Sequence, residues 1–323
     1  MVFHSNAVVE KYMHTAVLLH EAVDALAIKP DGIYVDGTFG RGGHSRLILE
    51  QLGENGRLIA FDQDPSAFKA GQSLEDERFH MIHGSFSTMQ EILRQLDVDR
   101  VDGILLDLGM SSPQLEEARR GFSFRLDGPL DMRMDTSQGP TAAEWLASAP
   151  ETHLEEVIRN YGEERFAKQV ARAIVAARGR QPIVTTHQLA SIVASTVRSR
   201  GREDKQNPAT RTFQAIRIYL NQELEKLSLA LPKCVEMLNA GGRLVVISFH
   251  SLEDRTVKRF MRELADSDRL PKELPLREKE VQLLSRQKLR LIGKAIRPDT
   301  KEVAGNPRAR SAIMRVAERI NTT

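Results

Sequence analysis

The chain has 323 residues, 41% apolar and 28% charged, with 46 basic against 44 acidic side chains and a net charge of +2. That length holds one large α/β domain with an insertion, or two domains, and the composition is that of a soluble globular protein with ample core. With charge so nearly balanced, any polyanionic partner must meet a local patch. The single cysteine, Cys234, excludes a disulfide framework and a cysteine-based zinc site and fits a reducing cytoplasm. No apolar run reaches membrane-spanning length and no leader-like segment opens the chain, so no membrane partner is expected.

Residues 1–12 read as a loose terminus. Residues 14–23 then feed a helix whose apolar face is Val17, Leu18, Ala22 and Val23, ended by Lys29-Pro30-Asp31-Gly32. Ile33-Tyr34-Val35 is a first strand ending in Asp36, followed by a glycine-dense turn (Gly37, Gly40, Gly42, Gly43) and the helix-compatible Leu47-Ile48-Leu49. Strand, tight loop and helix open a βαβ unit, the usual start of a nucleotide-type site. The spacing is neither the dinucleotide G-x-G-x-x-G nor a P-loop. The charge is more telling. A carboxylate beside the loop would repel a pyrophosphate, whereas Asp36 suits a ligand carrying an ammonium and a sulfonium, which is S-adenosylmethionine. Residues 57–62 form the second strand and end in Asp62, where one carboxylate accepts both hydroxyls of a ribose.

Asp64-Pro65 opens the next helix, with proline suited to its first turn. Residues 79–83 are a third strand, and Phe86 follows where an adenine would be covered. Residues 101–108 are a fourth strand, nearly all apolar as buried parallel strands are, breaking at Gly109-Met110-Ser111-Ser112-Pro113-Gln114. β units in helical alternation imply a doubly wound parallel sheet with its ligand at the carboxyl ends of the strands.

The rhythm changes after Gln114. Residues 121–135 form a glycine- and charge-studded loop of the kind that serves as a functional lid. Three helices are expected at 150–161, 164–177 and 186–197, the last capped by Thr185 or Thr186. Arg159, Arg165, Lys168, Arg172, Arg178, Arg180, Arg198, Arg200, Arg202, Lys205, Arg211 and Arg217 give this insertion a basic bias that favours contact with a phosphate backbone. Residues 208–231 read as one long helix returning to the sheet, and 241–247 as a fifth strand delivering Ser248–His250 to the same edge. Residues 257–264 are helical, 266–287 polar and mobile, and 289–296 and 312–317 are candidate last strands around Asn306-Pro307-Arg308-Ala309-Arg310-Ser311.

Assembled, these blocks closely resemble the bacterial 16S ribosomal RNA cytosine-N4 methyltransferase (MraW) family. The resemblance rests on residues 14–21, residues 36–45 with Gly-Arg-Gly-Gly-His-Ser, residues 106–114, residues 121–135, residues 248–254 and residues 306–311, all six in order. It implies an α/β class I S-adenosylmethionine-dependent methyltransferase, Rossmann-like, with a mostly parallel sheet, a late antiparallel strand and an inserted all-helical domain. The expected borders are 1–116 for the first methyltransferase part, 117–210 for the lid and substrate insertion, and 211–323 for the second part. It also implies methylation of the N4 amine of a cytidine in the P-site decoding region. Gly42, Gly43, His44, Asp62, Phe86, Asp107 and Gln114 would contact the cofactor.

A cytosine amine is a poor nucleophile because its lone pair is delocalised into the ring, so positioning and an acceptor for its proton are needed. Asp107 and Ser111 are the catalytic candidates. Many amino-group methyltransferases carry an aromatic after the fourth strand; this chain does not, and Phe122, Phe124 or His250 would stack the base instead. Arg125, Arg133, His250, Arg308 and Arg310 are the substrate-binding candidates, with Asp131 and Asp135 organising the lid. No metal is expected, since His44 and His250 lack partners at ligand spacing. The expected partner is 16S ribosomal RNA within the 30S subunit, with a homodimer left open. A nicotinamide-dependent oxidoreductase and a non-catalytic assembly factor are the rival classes. Asp36 and the broken fingerprint speak against the first, the intact motif blocks against the second.

Overall fold

The computed structural model describes residues 16–198, 207–266 and 287–321. The apolar runs that end in an acid become parallel strands: β1 (Ile33–Asp36), β2 (Arg57–Asp62), β3 (Phe79–His83) and β4 (Val101–Asp107), joined by β5 (Leu238–Ser248). The chain finishes with β6 (Leu289–Leu291) and β7 (Ile313–Arg319), and β7 runs antiparallel to both β5 and β6. The order across the sheet is β3-β2-β1-β4-β5-β7-β6. Asp36 lies opposite Leu105 and Asp107 opposite Ile247, so β1, β4 and β5 close on one edge at neighbouring positions. The strand order reverses between β1 and β4, the switch point where such sheets take their ligand. This is the expected class I S-adenosylmethionine-dependent methyltransferase fold.

Packing divides the chain into two compact units: residues up to Gly109 together with those from Ser228 onward, and Met110–Leu227. In the first, α1 (Leu19–Leu26), α2 (Gly43–Gln51), α3 (Pro65–Gln72), α4 (Met89–Gln95), α12 (Ser251–Ala265) and α13 (Thr300–Gly305) accompany the sheet. Asp64 caps α3 by accepting the Ser66 N–H at 2.8 Å, as Asp-Pro foretold. Tyr34, Leu58, Leu105, Val245 and Ile247 form a core with Ala22, Val23, Leu26 and Ile48. The buried Tyr34 hydroxyl accepts the Lys29 N–H at 2.7 Å, so its polar end is not stranded.

The second unit holds α5 (Ser112–Glu116), α6 (Ala142–Ser148), α7 (Glu151–Gly162), α8 (Ala167–Arg178), α9 (Thr186–Arg198), α10 (Thr210–Asn221) and the start of α11 (Glu223–Met237), which crosses the border. Thr185 is the cap of α9, accepting the Gln188 N–H. The borders expected at 116/117 and 210/211 therefore both fall inside this unit. The single long helix expected over 208–231 is two helices, broken at Gln222 with φ 53°. Arg217 and Glu223 hold the break as a bidentate pair, 2.8 Å on each branch.

Residues 121–135 are not a lid in this structure. Phe122, Leu130, Met132 and Met134 are buried in the same core as Leu154, Ile158, Ile174, Leu189 and Ile216. The segment is tied down by polar bonds as well. Leu130 N–H donates to Val184 O, Met134 N–H to Asn221 Oδ1 at 2.7 Å, and Asn221 Nδ2 to Met132 O at 2.8 Å. Asn221 is 7% exposed, so removing its amide strands a buried donor and a buried acceptor. Asn221→Ala is expected to destabilise the helical unit by about 2–4 kcal/mol. Urea unfolding followed by the fluorescence of the single tryptophan, Trp145, which sits in this core, reads the loss. Among the described residues no helix is long and apolar enough to cross a membrane.

Candidate active site

The loop after β1 is sewn to both neighbouring strands. Gly37 N–H donates to Leu105 O in β4 and Phe39 N–H to Phe61 O in β2, each at 2.9 Å. Gly40 N–H donates to Asp62 Oδ2 at 2.8 Å, and Thr38 Oγ1 accepts the Asp107 N–H at 2.7 Å. Two glycines are dictated by this path. A Cβ on Gly37 would stand 2.4 Å from Leu106 and 3.1 Å from Phe86, and Gly42 has φ +75° with Phe39 2.6 Å from its missing Cβ. Gly42 caps α2, whose first residue is Gly43, and half-buried Phe86 stands beside Gly37.

The acids divide into different roles. Asp36 is 1% exposed, and its oxygens accept the Ser45 hydroxyl at 2.6 Å and the Thr38 N–H at 3.1 Å. The expectation that it faces a ligand is corrected: it staples strand, loop and helix together, and burial raises its carboxyl above the ordinary range. Asp62 is a different case. Its two oxygens accept the Gly40 and Asp64 N–H groups, each at 2.8 Å. A carboxylate has about four acceptor sites, so two remain for a diol. Burial pushes Asp62 up to about 6 despite those bonds.

Asp107 closes β4 with its amide held by Thr38. Its Oδ1 is buried without a hydrogen-bond partner among the described residues. Burial, then the charges of Asp36 and Glu253, hold its carboxyl well above the ordinary range, with Arg308 working the other way. His44 Nδ1 stands 3.9 Å from Asp107 Oδ2, and its Nε2 donates to Val17 O at 3.2 Å. His44 is 4% exposed, and burial lowers it to about 4, so it is neutral at pH 7. Its one proton is on Nε2, because a carbonyl can only accept. Two lone-pair-bearing atoms thus face one another across a gap too long for a direct bond.

His250 is the cap of α12: Nδ1 accepts the Glu253 N–H at 3.4 Å, while Glu253 Oε2 accepts the Phe249 N–H at 2.8 Å. Helix α12 consequently begins at Ser251, earlier than the expected 257. Arg308 lies half-buried in a 3-10 turn, Pro307–Ser311, while Arg310 is exposed.

The remaining sites belong to the helical unit. Ser111 N–H donates to Gln114 Oε1 at 3.0 Å, so these two form the capping box that opens α5, and Gln114 is 5% exposed. Arg125 is exposed. Arg133 is engaged: its guanidinium forks onto Asp131 at 2.8 and 2.9 Å, and Asp135 binds Ser137. Phe122 is a core residue and does not offer a face for a base; Phe124 stands edge-on to Phe213 with ring centres 4.9 Å apart. Much of the basic bias is also consumed internally. Arg178 donates to Leu146 O and Ala149 O, Arg211 to Glu163 O and Arg217 to Glu223, while Arg159 pairs with Glu155 and Arg172 with Glu151. Arg165, Lys168 and Arg180 are exposed. The Arg198 side chain, Arg200, Arg202, Lys205 and residues 267–286 lie outside the described residues.

Sequence reasoning missed Thr38, Ser45, Val17 and Glu253. Ser45 was within reach, as a hydroxyl one turn into the helix after an acidic strand end.

The chain is 74% identical over 310 residues to a Nitrosospira multiformis protein named ribosomal RNA small subunit methyltransferase H, covering 96% of this chain and 98% of that protein. It is 68% identical over 311 residues to a protein of the same name from Nitrosomonas europaea, covering 96% and 98%. With one from an Azoarcus species the identity is 62% over 306 residues, covering 95% and 96%. Residues 11–320 match the MraW methylase family, a span that takes in the glycine loop, Asp62 and Asp107 alike. The chain belongs to the MraW methylase family.

Proposed function

We propose that this protein transfers a methyl group from S-adenosylmethionine to the N4 amine of a cytidine in the P-site decoding region of 16S ribosomal RNA, within the 30S subunit. The carrying observation is the buried Oδ1 of Asp107, without a hydrogen-bond partner among the described residues, at the end of β4, one of the two strands between which the sheet order reverses. The relatives named ribosomal RNA small subunit methyltransferase H support the substrate class.

The residues present fit the cofactor. Asp62 has acceptor capacity left for a ribose, Phe86 offers a ring for adenine, and Gly42 and Gly43 bring bare backbone close. Asp107 and His44 Nδ1 offer two acceptors to an ammonium, and the family resemblance, not the geometry, adds Gln114. When bound, S-adenosylmethionine supplies an electrophilic methyl on a cationic sulfur. The chain's own work is to hold and orient. Asp107 accepts an N–H of the target amine, which drives electron density onto N4, and its raised pKa suits it to take up the departing proton. Ser111, three residues beyond Leu108, is a second acceptor. Arg308 and Arg125 contact phosphate or base, while Arg133, tied to Asp131, shapes the chain rather than reaching for RNA.

The test is tritiated methyl transfer from S-adenosylmethionine to 30S subunits lacking the modification, with naked 16S RNA in parallel and mass mapping of the labelled nucleotide. Label on N4 of a P-site cytidine is the expected result. Label on another base, or none on either substrate, overturns the reading.

A further inference from the structure

We propose that Glu302 is a positioning residue for the cofactor's amino-acid end, acting through Leu18 and the Val17 carbonyl to hold His44 in its Nε2–H tautomer. The inference rests on the reading of the site as one for S-adenosylmethionine.

The linkage is a run of bonds between distant parts of the chain. Glu302 Oε1 accepts the Leu18 N–H at 2.8 Å across 284 residues of sequence. Glu302 is itself fixed, because its N–H is held by the Asp299 cap of α13 at 2.7 Å. Leu18 has φ 53°, a left-handed conformation costing a leucine roughly 1–2 kcal/mol, which persists only where the surroundings impose it. Glu302 is one such restraint, and burial of the Leu18 side chain at 1% exposure is another. The adjoining carbonyl, that of Val17, receives the His44 Nε2–H at 3.2 Å. A Cβ on Gly43 would stand 2.9 Å from the Ala16 Cβ, so the same segment lies directly against the start of α2.

The tautomer decides what the site accepts. With the proton on Nε2, Nδ1 presents a lone pair toward Asp107, 3.9 Å from its Oδ2, and the two acceptors share an incoming ammonium. With the proton on Nδ1, the ring would turn an N–H toward Asp107 and leave the ammonium one acceptor instead of two. Val17 O is the group that selects between these states, and the Glu302–Leu18 bond holds Val17 O in place.

The experiment is long-range nitrogen-15 NMR of the histidine rings in the full-length protein without cofactor, together with calorimetric binding of S-adenosylhomocysteine. Wild-type His44 should show a protonated Nε2 and a bare Nδ1. Glu302→Ala should move population toward Nδ1–H and weaken binding about fivefold to tenfold, the scale of one hydrogen bond. Glu302→Gln, which keeps an acceptor oxygen, should restore both. Should Glu302→Ala fail to fold, Glu302→Asp, one methylene too short to reach Leu18, replaces it with the same expectations. A wild-type ring pattern and affinity in Glu302→Ala (or Asp) overturns the proposal, as does equal loss in Glu302→Gln. Failure of wild-type protein to bind S-adenosylhomocysteine sinks the cofactor reading instead, while the ring pattern still reads the positioning.

Discussion

Asp107→Asn is expected to lower single-turnover methyl transfer by about 10²–10⁴, the range a positioned proton acceptor contributes, and at the same time to raise the thermal midpoint. The two effects have one origin. In the folded protein Asp107 is held well above the ordinary carboxylate range by burial and by the charges of Asp36 and Glu253, with one oxygen unpartnered. A group raised in this way binds its proton more tightly folded than unfolded, so ionising it at neutral pH works against the fold. Asparagine keeps the shape, removes the charge and brings an N–H toward the His44 lone pair, which relieves that cost. It also removes the acceptor the amine needs and the anion an ammonium needs. Opposite signs in activity and stability are what a strained functional group produces. A variant with wild-type turnover, or one that loses activity by losing stability, would show that Asp107 is a structural residue.

The second large effect is in pH. Cofactor affinity should fall about tenfold for each unit below pH 6 and level off above about pH 7, because Asp62 sits at about 6 in the free protein and must be ionised to accept two ribose hydroxyls. The free protein should respond in the opposite sense. Asp62 is raised above its unfolded value, so its contribution to stability is most favourable below the unfolded pKa and is lost as pH rises through about 6. Asp62→Asn should abolish the pH dependence of S-adenosylhomocysteine binding and weaken binding at pH 7.5 by about tenfold to a hundredfold, on the scale of hydrogen bonds to a charged group. Calorimetric titrations between pH 5 and 8 on both proteins test this. A slope that survives in Asp62→Asn assigns the proton to another group, Asp107 being next in line.

Much of this edge was legible because its signals are local. An apolar run with an acid at its end places that acid at a strand's carboxyl terminus, which is how Asp62 and Asp107 were found. Phe86 follows from the same logic, two residues beyond Gly84. Misreadings arose where a residue's role depends on what lies across from it. Asp36 has the same sequence signature as Asp62, yet Ser45 and Thr38 take both its oxygens. The 121–135 segment carries glycines and charges, which suggest a surface lid. Phe122, Leu130, Met132 and Met134 enter the helical core, and the charged Asp131, Arg133 and Asp135 set between and beside them hide that burial. The basic bias was counted from Arg159 onward and so left out Glu151 and Glu155 on α7, which pair with Arg172 and Arg159.

Family membership and the sheet with its late antiparallel strand follow from the sequence by itself, because hydrophobic period, turn chemistry and motif order are written along the chain. Which acid is free, which histidine nitrogen carries the proton and which loop closes the helical core were decided only by the tertiary structure. Each of those depends on which partner the folded chain brings up, from Thr38 and Ser45 close to Asp36 to Asn221, 87 residues from Met134, and in the case of Val17 on a backbone carbonyl, a group that every residue carries and no sequence can distinguish.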